Sequence, residues 1–80
     1  MKPLDQLLRE WRATMGFSKA EAARHCKVSE QHWGLLESGQ RFDLRGATFR
    51  KLTEGTGIPR ERIVLAAALL RERRLEASPA

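Results

Sequence analysis

The sequence predicts an all-α fold in which five helices with short connections pack into one compact domain. Three observations carry that expectation. Apolar residues recur at helical spacing, most clearly Leu4, Leu7, Leu8 and Trp11, the i, i+3, i+4, i+7 pattern of an amphipathic helix. No segment alternates with period two, so no strand is expected. Helix start and stop residues punctuate the chain at short intervals, among them Pro3, Ser18, Ser29, Gly39, Gly57 and Pro59. With 80 residues, positions 1–80 are expected to form a single domain. A domain of this size buries only about 60–65% of its unfolded surface, so an added interface would help it.

The first helix is expected over residues 3–14, with Pro3 at its first position. Met15, Gly16 and Phe17 break it. Ser18 and Glu21 then form S-x-x-E, a capping box that starts a second helix over about 18–26. In that helix Ala20, Ala23 and Cys26 make a small-residue face that lets a neighbour approach closely. Lys27 and Val28 form a turn, and Ser29 is a good N-cap for a third helix over about 29–38. Val28 and Trp33 stand at hydrophobic-staple spacing around that cap, and Trp33 and Leu36 are expected in the core. Gly39 supplies the stop.

Gln40–Leu44 reads as a loop with Asp43 as a local cap. A fourth helix is expected from Arg45 to Glu54, with Phe49 and Leu52 facing inward and Gly55 and Gly57 ending it. The fifth is expected over about 59–77. Pro59 sits in its first turn, Glu61 lies near its positive end, and the run Ile63–Leu70 is apolar nearly all round. It continues through Arg71–Glu76 and stops before Pro79, leaving Ala77–Ala80 frayed.

Lys and Arg number 15 against 10 Asp and Glu, a net charge of +5. A small basic chain suits a polyanion, nucleic acid first and an acidic membrane surface second, although basicity also serves solubility. The single cysteine, Cys26, excludes an intramolecular disulfide and lacks partners for a zinc site. It reads as a small core hydrophobe, and a lone thiol fits the cytoplasm. With Lys2, Asp5, Arg9 and Glu10 near its start, no apolar leader is expected. The run Ile63–Leu70 is far shorter than the roughly 20 residues of a membrane span. No H-E-x-x-H, P-loop, dinucleotide loop or Cys/His metal spacing occurs, so no enzyme, cofactor or metal is expected. His25 and His32 lack a carboxylate pairing that would suggest a catalytic pair.

The segment Ser18–Gly39 therefore reads as two short helices joined by a tight turn, a helix-turn-helix, whose second helix enters the major groove of DNA. Further elements stand around it in order: Gly16–Phe17–Ser18, Glu21 and Ala23, Val28–Ser29, Leu36–Glu37–Ser38–Gly39 with Arg41, then Leu52 and Gly57–Ile58. On these residues the chain resembles the Cro/C1-type (XRE-like) helix-turn-helix family of phage repressors, Cro proteins and bacterial regulators. The resemblance covers most of residues 4–64 and implies a lambda-repressor-like fold. Departures accompany it. Lys27 stands where the family usually has Gly, because φ is positive there, at a cost of about 1 kcal/mol. The loop before the fourth helix is longer by one residue. Thr53, Gly55 and Thr56 replace apolar residues, and the last helix is much longer.

The resemblance implies phosphate contacts from Lys19, Ser29, Ser38 and Arg41. Lys19 would act with the N–H groups and dipole of its helix start. Base reading is expected from Glu30, Gln31, His32 and Leu35 on the exposed N-terminal face of the third helix. Gln31 can pair with adenine, Glu30 can accept from cytosine N4, and Leu35 can touch a thymine methyl. Gly34 lets the backbone approach closely.

The fifth helix is more apolar than one small core requires. One face is expected on the first and fourth helices. The other, drawn from Leu65 and Leu69 with Ala66 or Ala68, is expected to make a homodimer. A two-fold dimer sets recognition helices roughly 34 Å apart and reads a palindromic operator. Against this stands a helix that only thickens a monomer core. Arg71, Arg73 and Arg74 read either as a solvated helix end or as further DNA-backbone contacts. The expected function is a small dimeric repressor in the bacterial cytoplasm, with RNA polymerase or another protein as a further partner. The alternative is an antitoxin-type protein-interaction module that keeps the fold without the DNA site.

Overall fold

The computed structural model describes residues 2–41 and 44–77. Five helices follow one another: α1 Leu4–Met15, α2 Lys19–His25, α3 Glu30–Glu37, α4 Gly46–Thr56 and α5 Arg60–Ala77. No strand occurs among the described residues. Asp43, expected as a cap, and the tail 78–80 lie outside them.

Local chemistry places most of the boundaries. Pro3 is the N-cap of α1 rather than its first helical residue. Its backbone is extended (φ −68°, ψ 162°), and its carbonyl accepts from Leu7 N at 2.9 Å. Gly16 closes α1 in the left-handed region at φ 71°, where a Cβ would be strained. The capping box of α2 is complete. Ser18 Oγ accepts from Glu21 N at 3.1 Å, and Glu21 Oε1 accepts from Ser18 N at 3.0 Å. Lys27 occupies the α2–α3 turn at φ 58°, the conformation expected of it. Ser29 caps α3, its Oγ accepting from His32 N at 3.0 Å.

The core is formed by Leu4, Leu8, Cys26, Trp33, Leu36, Leu52, Ile63 and Leu70, all fully buried. Val28, Phe49 and Leu44 pack partly buried against it. α1 lies against α3 and α5, α2 against α3, and α4 against α5. The inward stripe of α5 is Ile63, Ala66, Ala67 and Leu70, one face at i, i+3, i+4 and i+7.

Four expectations need correction. The small face of α2 is Ala22, Ala23 and Cys26, with Ala20 only half-buried. Gly55 does not end α4, which runs on to Thr56 with Gly57 as its left-handed cap at φ 74°. The reason is tertiary: a Cβ on Gly55 would lie 2.8 Å from Cys26 Cα and 2.6 Å from Cys26 Sγ. Gly55 thus lets α4 close directly on the end of α2. Thr56 finishes the helix from outside the core, its Oγ1 donating to Leu52 O at 2.6 Å and accepting from Ile58 N at 3.1 Å. Pro59 lies just before α5 and takes Arg62 N and Ile63 N on its carbonyl. On the outer side of α5, Ala66 is buried rather than available, and Leu69 is only partly exposed. Val64, Leu65 and Leu75 are the large apolar side chains exposed there.

Candidate nucleic-acid interface

α3 presents its first turns outward because its large core residues, Trp33 and Leu36, fall on the other side. Trp33 and Leu36 are buried, while Glu30 and Gln31 are exposed and His32, Gly34 and Leu35 are half-buried. The turn after α3 brings a distant residue back to this face. Ser38 is the C-cap, and three donors converge on the Leu35 carbonyl: Ser38 Oγ at 3.1 Å, Gln40 N at 3.1 Å and Arg41 N at 3.2 Å. Ser29, Gln31, His32, Leu35 and Arg41 consequently line one open concavity of about 330 Å³.

Five of the residues expected to touch DNA are thus brought together. Glu30 is not among them and stands exposed in the first turn of α3. Lys19 is exposed in the first turn of α2. The capping box there already engages Glu21 N and Ser18 N, so those two N–H groups are not the ones a phosphate would take. Ser38 is exposed, with its hydroxyl proton directed to Leu35 O. Leu65 and Leu69 sit on α5, apart from this face.

The electrostatics single out a residue that the sequence reading missed. Burial lowers the His32 pKa below its ordinary 6.5, and the charges of Arg41 and Lys51 push it further down. Lys51 belongs to α4 and is exposed. It also lines a cavity of about 280 Å³ with His25, Cys26, Lys27, Glu54 and Gly55. A cation in mid-α4 carries no motif, so only its charge acting on His32 in the folded chain reveals it. In the same cavity burial pushes the Cys26 thiol up to about 11, which leaves it protonated and unreactive at neutral pH.

The helix is held from behind by charge. Glu37 is almost fully buried and takes a bidentate pair from Arg12 of α1, with Nε donating to Oε2 at 2.6 Å and Nη2 to Oε1 at 3.1 Å. Trp33 Nε1 also donates to Glu37 Oε2. Arg9 Nη1 donates to the Glu37 carbonyl at 2.7 Å, and Arg12 Nη1 to Phe17 O at 3.1 Å. Trp11 packs against Trp33, Phe17 and His25 with ring centroids 5.8 Å apart in each case. The sequence marks Glu37 only through its place in L-E-x-G, and Arg12 through nothing.

Arg73 and Arg74 are exposed, yet each is tied to another element of the fold. Arg73 Nη2 donates to Asp5 Oδ2 at 2.9 Å, and Arg74 Nη1 to Gly39 O at 3.0 Å. No helix among the described residues is long and apolar enough to cross a membrane.

The comparisons with known proteins agree with this geometry. A family model described as helix-turn-helix domain matches residues 4–66, which takes in α1 to α4 and the first turns of α5. No curated protein and no solved structure matches the chain significantly. Capped helices α2 and α3, the turn at Lys27 and a match across most of the sequence lead to one assignment: the chain belongs to the helix-turn-helix domain family.

Proposed function

We propose that the protein is a sequence-specific double-stranded DNA-binding regulator of the Cro/C1 type, a small repressor that lays α3 in the major groove of a palindromic operator. The observation that carries this reading is the concavity on α3, where Gln31, His32 and Leu35 stand beside Ser29 and Arg41. An amide, an imidazole and an apolar methyl source are the group types that read base edges. Arg41 and Lys51 supply charge felt at His32, and phosphate contacts give affinity and register. Lys19, Ser29 and Ser38 extend that set at the helix ends. Glu30 fits as a partner for a cytosine amino group at the margin of the site.

A dimer along α5 completes the reading. Val64 is 45%, Leu65 41% and Leu75 66% exposed, and a second copy of the helix would cover such side chains. Leu65 and the partly exposed Leu69 are assigned to the seam. Leu65→Glu should shift the sedimentation profile to monomer.

The deciding experiment is binding-site selection on random duplex DNA at moderate salt. A palindrome with half-sites one helical turn apart is expected. Gln31→Ala should then relax preference at one base pair. Lys19→Ala should weaken binding to all sequences alike and reduce the salt slope by about 1. No enriched sequence would overturn the reading in favour of a protein partner.

A further inference from the structure

We propose that Arg74, with Arg73 beside it, is a positioning residue for the reading face, setting the turn that carries Arg41 and through it the sequence preference of α3. The proposal rests on the DNA-reading role argued above. Both arginines lie beyond the family match, which ends at residue 66, so this is a property of the extended α5 and not of the shared domain.

The chain must reverse sharply after Glu37 for Arg41 to come beside Gln31 and His32. It does so through Gly39 at φ 80°, a buried residue in the left-handed region. The carbonyl of a buried residue needs a donor. Arg74 Nη1 supplies it at 3.0 Å from 35 residues away, as a charge-assisted bond of the stronger kind. The turn is also wedged sideways. A Cβ on Gly39 would stand 3.3 Å from Asp5 Oδ2 and 3.5 Å from Leu70 Cδ1. Asp5 is held in turn by Arg73 at 2.9 Å and Arg9 at 3.4 Å. Adjacent residues of α5 therefore grip two elements, the start of α1 and the exit of α3.

The mechanical consequence follows from the bonds just inside the turn. Gln40 N and Arg41 N both donate to Leu35 O, and Leu35 itself lines the reading concavity. Reading geometry must be held to about 0.5 Å to discriminate. Releasing the Gly39 carbonyl loosens the segment that carries Arg41 while leaving the buried side of α3 in place.

The test uses the full chain, Arg74→Ala and Arg74→Lys, with the selected operator and a random duplex as probes. In the free protein, Arg74→Ala should speed amide exchange of Gln40 and Arg41 by about tenfold, the worth of one charged hydrogen bond. Trp33 N–H, bonded to Ser29 O at 2.9 Å, should be unchanged. The affinity ratio of operator to random duplex should fall by about tenfold with the salt slope kept. Arg74→Lys, which retains a charged donor, should restore most of both. Unaltered exchange at Gln40 and Arg41 overturns the clamp. Faster exchange with an unaltered ratio overturns its role in reading. Equal weakening on both duplexes with a shallower salt slope makes Arg74 a phosphate contact instead. A wild-type protein that enriches no sequence overturns the DNA reading itself, and the exchange measurement still decides the clamp.

Discussion

Replacing Gly55 with Ala tests how α4 closes on α2, and here two effects oppose each other. An interior helical Gly→Ala change gains about 1 kcal/mol in helix propensity. At Gly55 the new Cβ meets Cys26 Cα at 2.8 Å and Cys26 Sγ at 2.6 Å. The first of these is backbone and cannot rotate away, so α4 has to move off α2. Overpacking of this kind costs about 1–3 kcal/mol, and so close an approach to backbone belongs at the upper end. The net expectation is a loss of about 1–2 kcal/mol. Gly34 in α3 is the internal control, because a Cβ there meets nothing within 4 Å. Gly34→Ala should gain about 1 kcal/mol. In a domain of this size 1 kcal/mol moves the midpoint by about 4–8 °C, so a difference of about 2–3 kcal/mol should separate the two midpoints by about 8–24 °C. Far-UV circular dichroism at two protein concentrations reads the midpoints and separates any contribution of association. Removing Sγ with Cys26→Ala leaves the backbone clash in place, so Gly55→Ala should cost less in that background without becoming neutral. A Gly55→Ala midpoint at or above that of Gly34→Ala would refute the close approach. It would make Gly55 an ordinary helical position with room for a side chain.

Other expectations follow from the charged groups and caps. Arg12→Met should cost about 3 kcal/mol in chemical denaturation, because it leaves the Glu37 carboxylate buried without its cation. Burial raises the Asp5 pKa, but the hydrogen bond from Arg73 and the charges of Arg73 and Arg9 outweigh it, so the net shift is downward from 3.8. A carboxyl with a depressed folded-state pKa contributes stability that is present above its unfolded value and is lost as pH falls through the folded one. Acid titration of stability should therefore show a loss below about pH 4, and Asp5→Asn should flatten it. For His32 the lowered pKa gives the same sign: its contribution is present above 6.5 and declines as pH falls below it, and an NMR titration midpoint at or above 6.5 would contradict the packing of α3 against Arg41 and Lys51. Ser29→Ala should cost about 1 kcal/mol through loss of the α3 cap.

What could be read from the sequence was the chemistry that acts over a few residues. Ser18 with Glu21 and Ser29 with His32 N are contacts three residues apart, so composition at fixed offsets reveals them. The same holds for Trp33 and Leu36 in the core, whereas the positive φ of Lys27 is what the family resemblance implies. The reading face followed because buried positions on a short helix leave its outward positions by subtraction. What escaped depends on partners far along the chain. Gly55 looks like a terminator until Cys26 is seen beside it. Ala22 rather than Ala20 lies inward because the rotation of α2 is set by α3 and not by its own small residues. Lys51, Arg73 and Arg74 carry ordinary surface chemistry in ordinary helical sequence. Their roles arise from the charge Lys51 exerts on His32 and from the bonds of Arg73 to Asp5 and Arg74 to Gly39, which no local pattern encodes.

The buried charge behind α3 is poorly explained by stability alone. Desolvating a carboxylate and a guanidinium costs several kcal/mol per ion, and well-packed apolar residues of similar volume often serve as well or better. What an apolar contact does not supply is direction. Leu and Ile side chains tolerate a rotation of the helix by exchanging one set of neighbours for another. Glu37 does not, because both of its oxygens are engaged: Oε1 by Arg12 Nη2, and Oε2 by Arg12 Nε together with Trp33 Nε1. Turning α3 about its axis by even a fraction of a turn breaks at least one of these bonds in a water-poor setting, where an unmade bond is expensive. Trp33 and Glu37 lie four residues apart on the inward side of α3, so the constraint acts on the helix as a rigid body. The outward positions Gln31 and Leu35 inherit it. Fixing the rotation of α3 relative to α1 fixes which side chains face a groove, and that is the quantity a reading helix must keep constant from one binding event to the next.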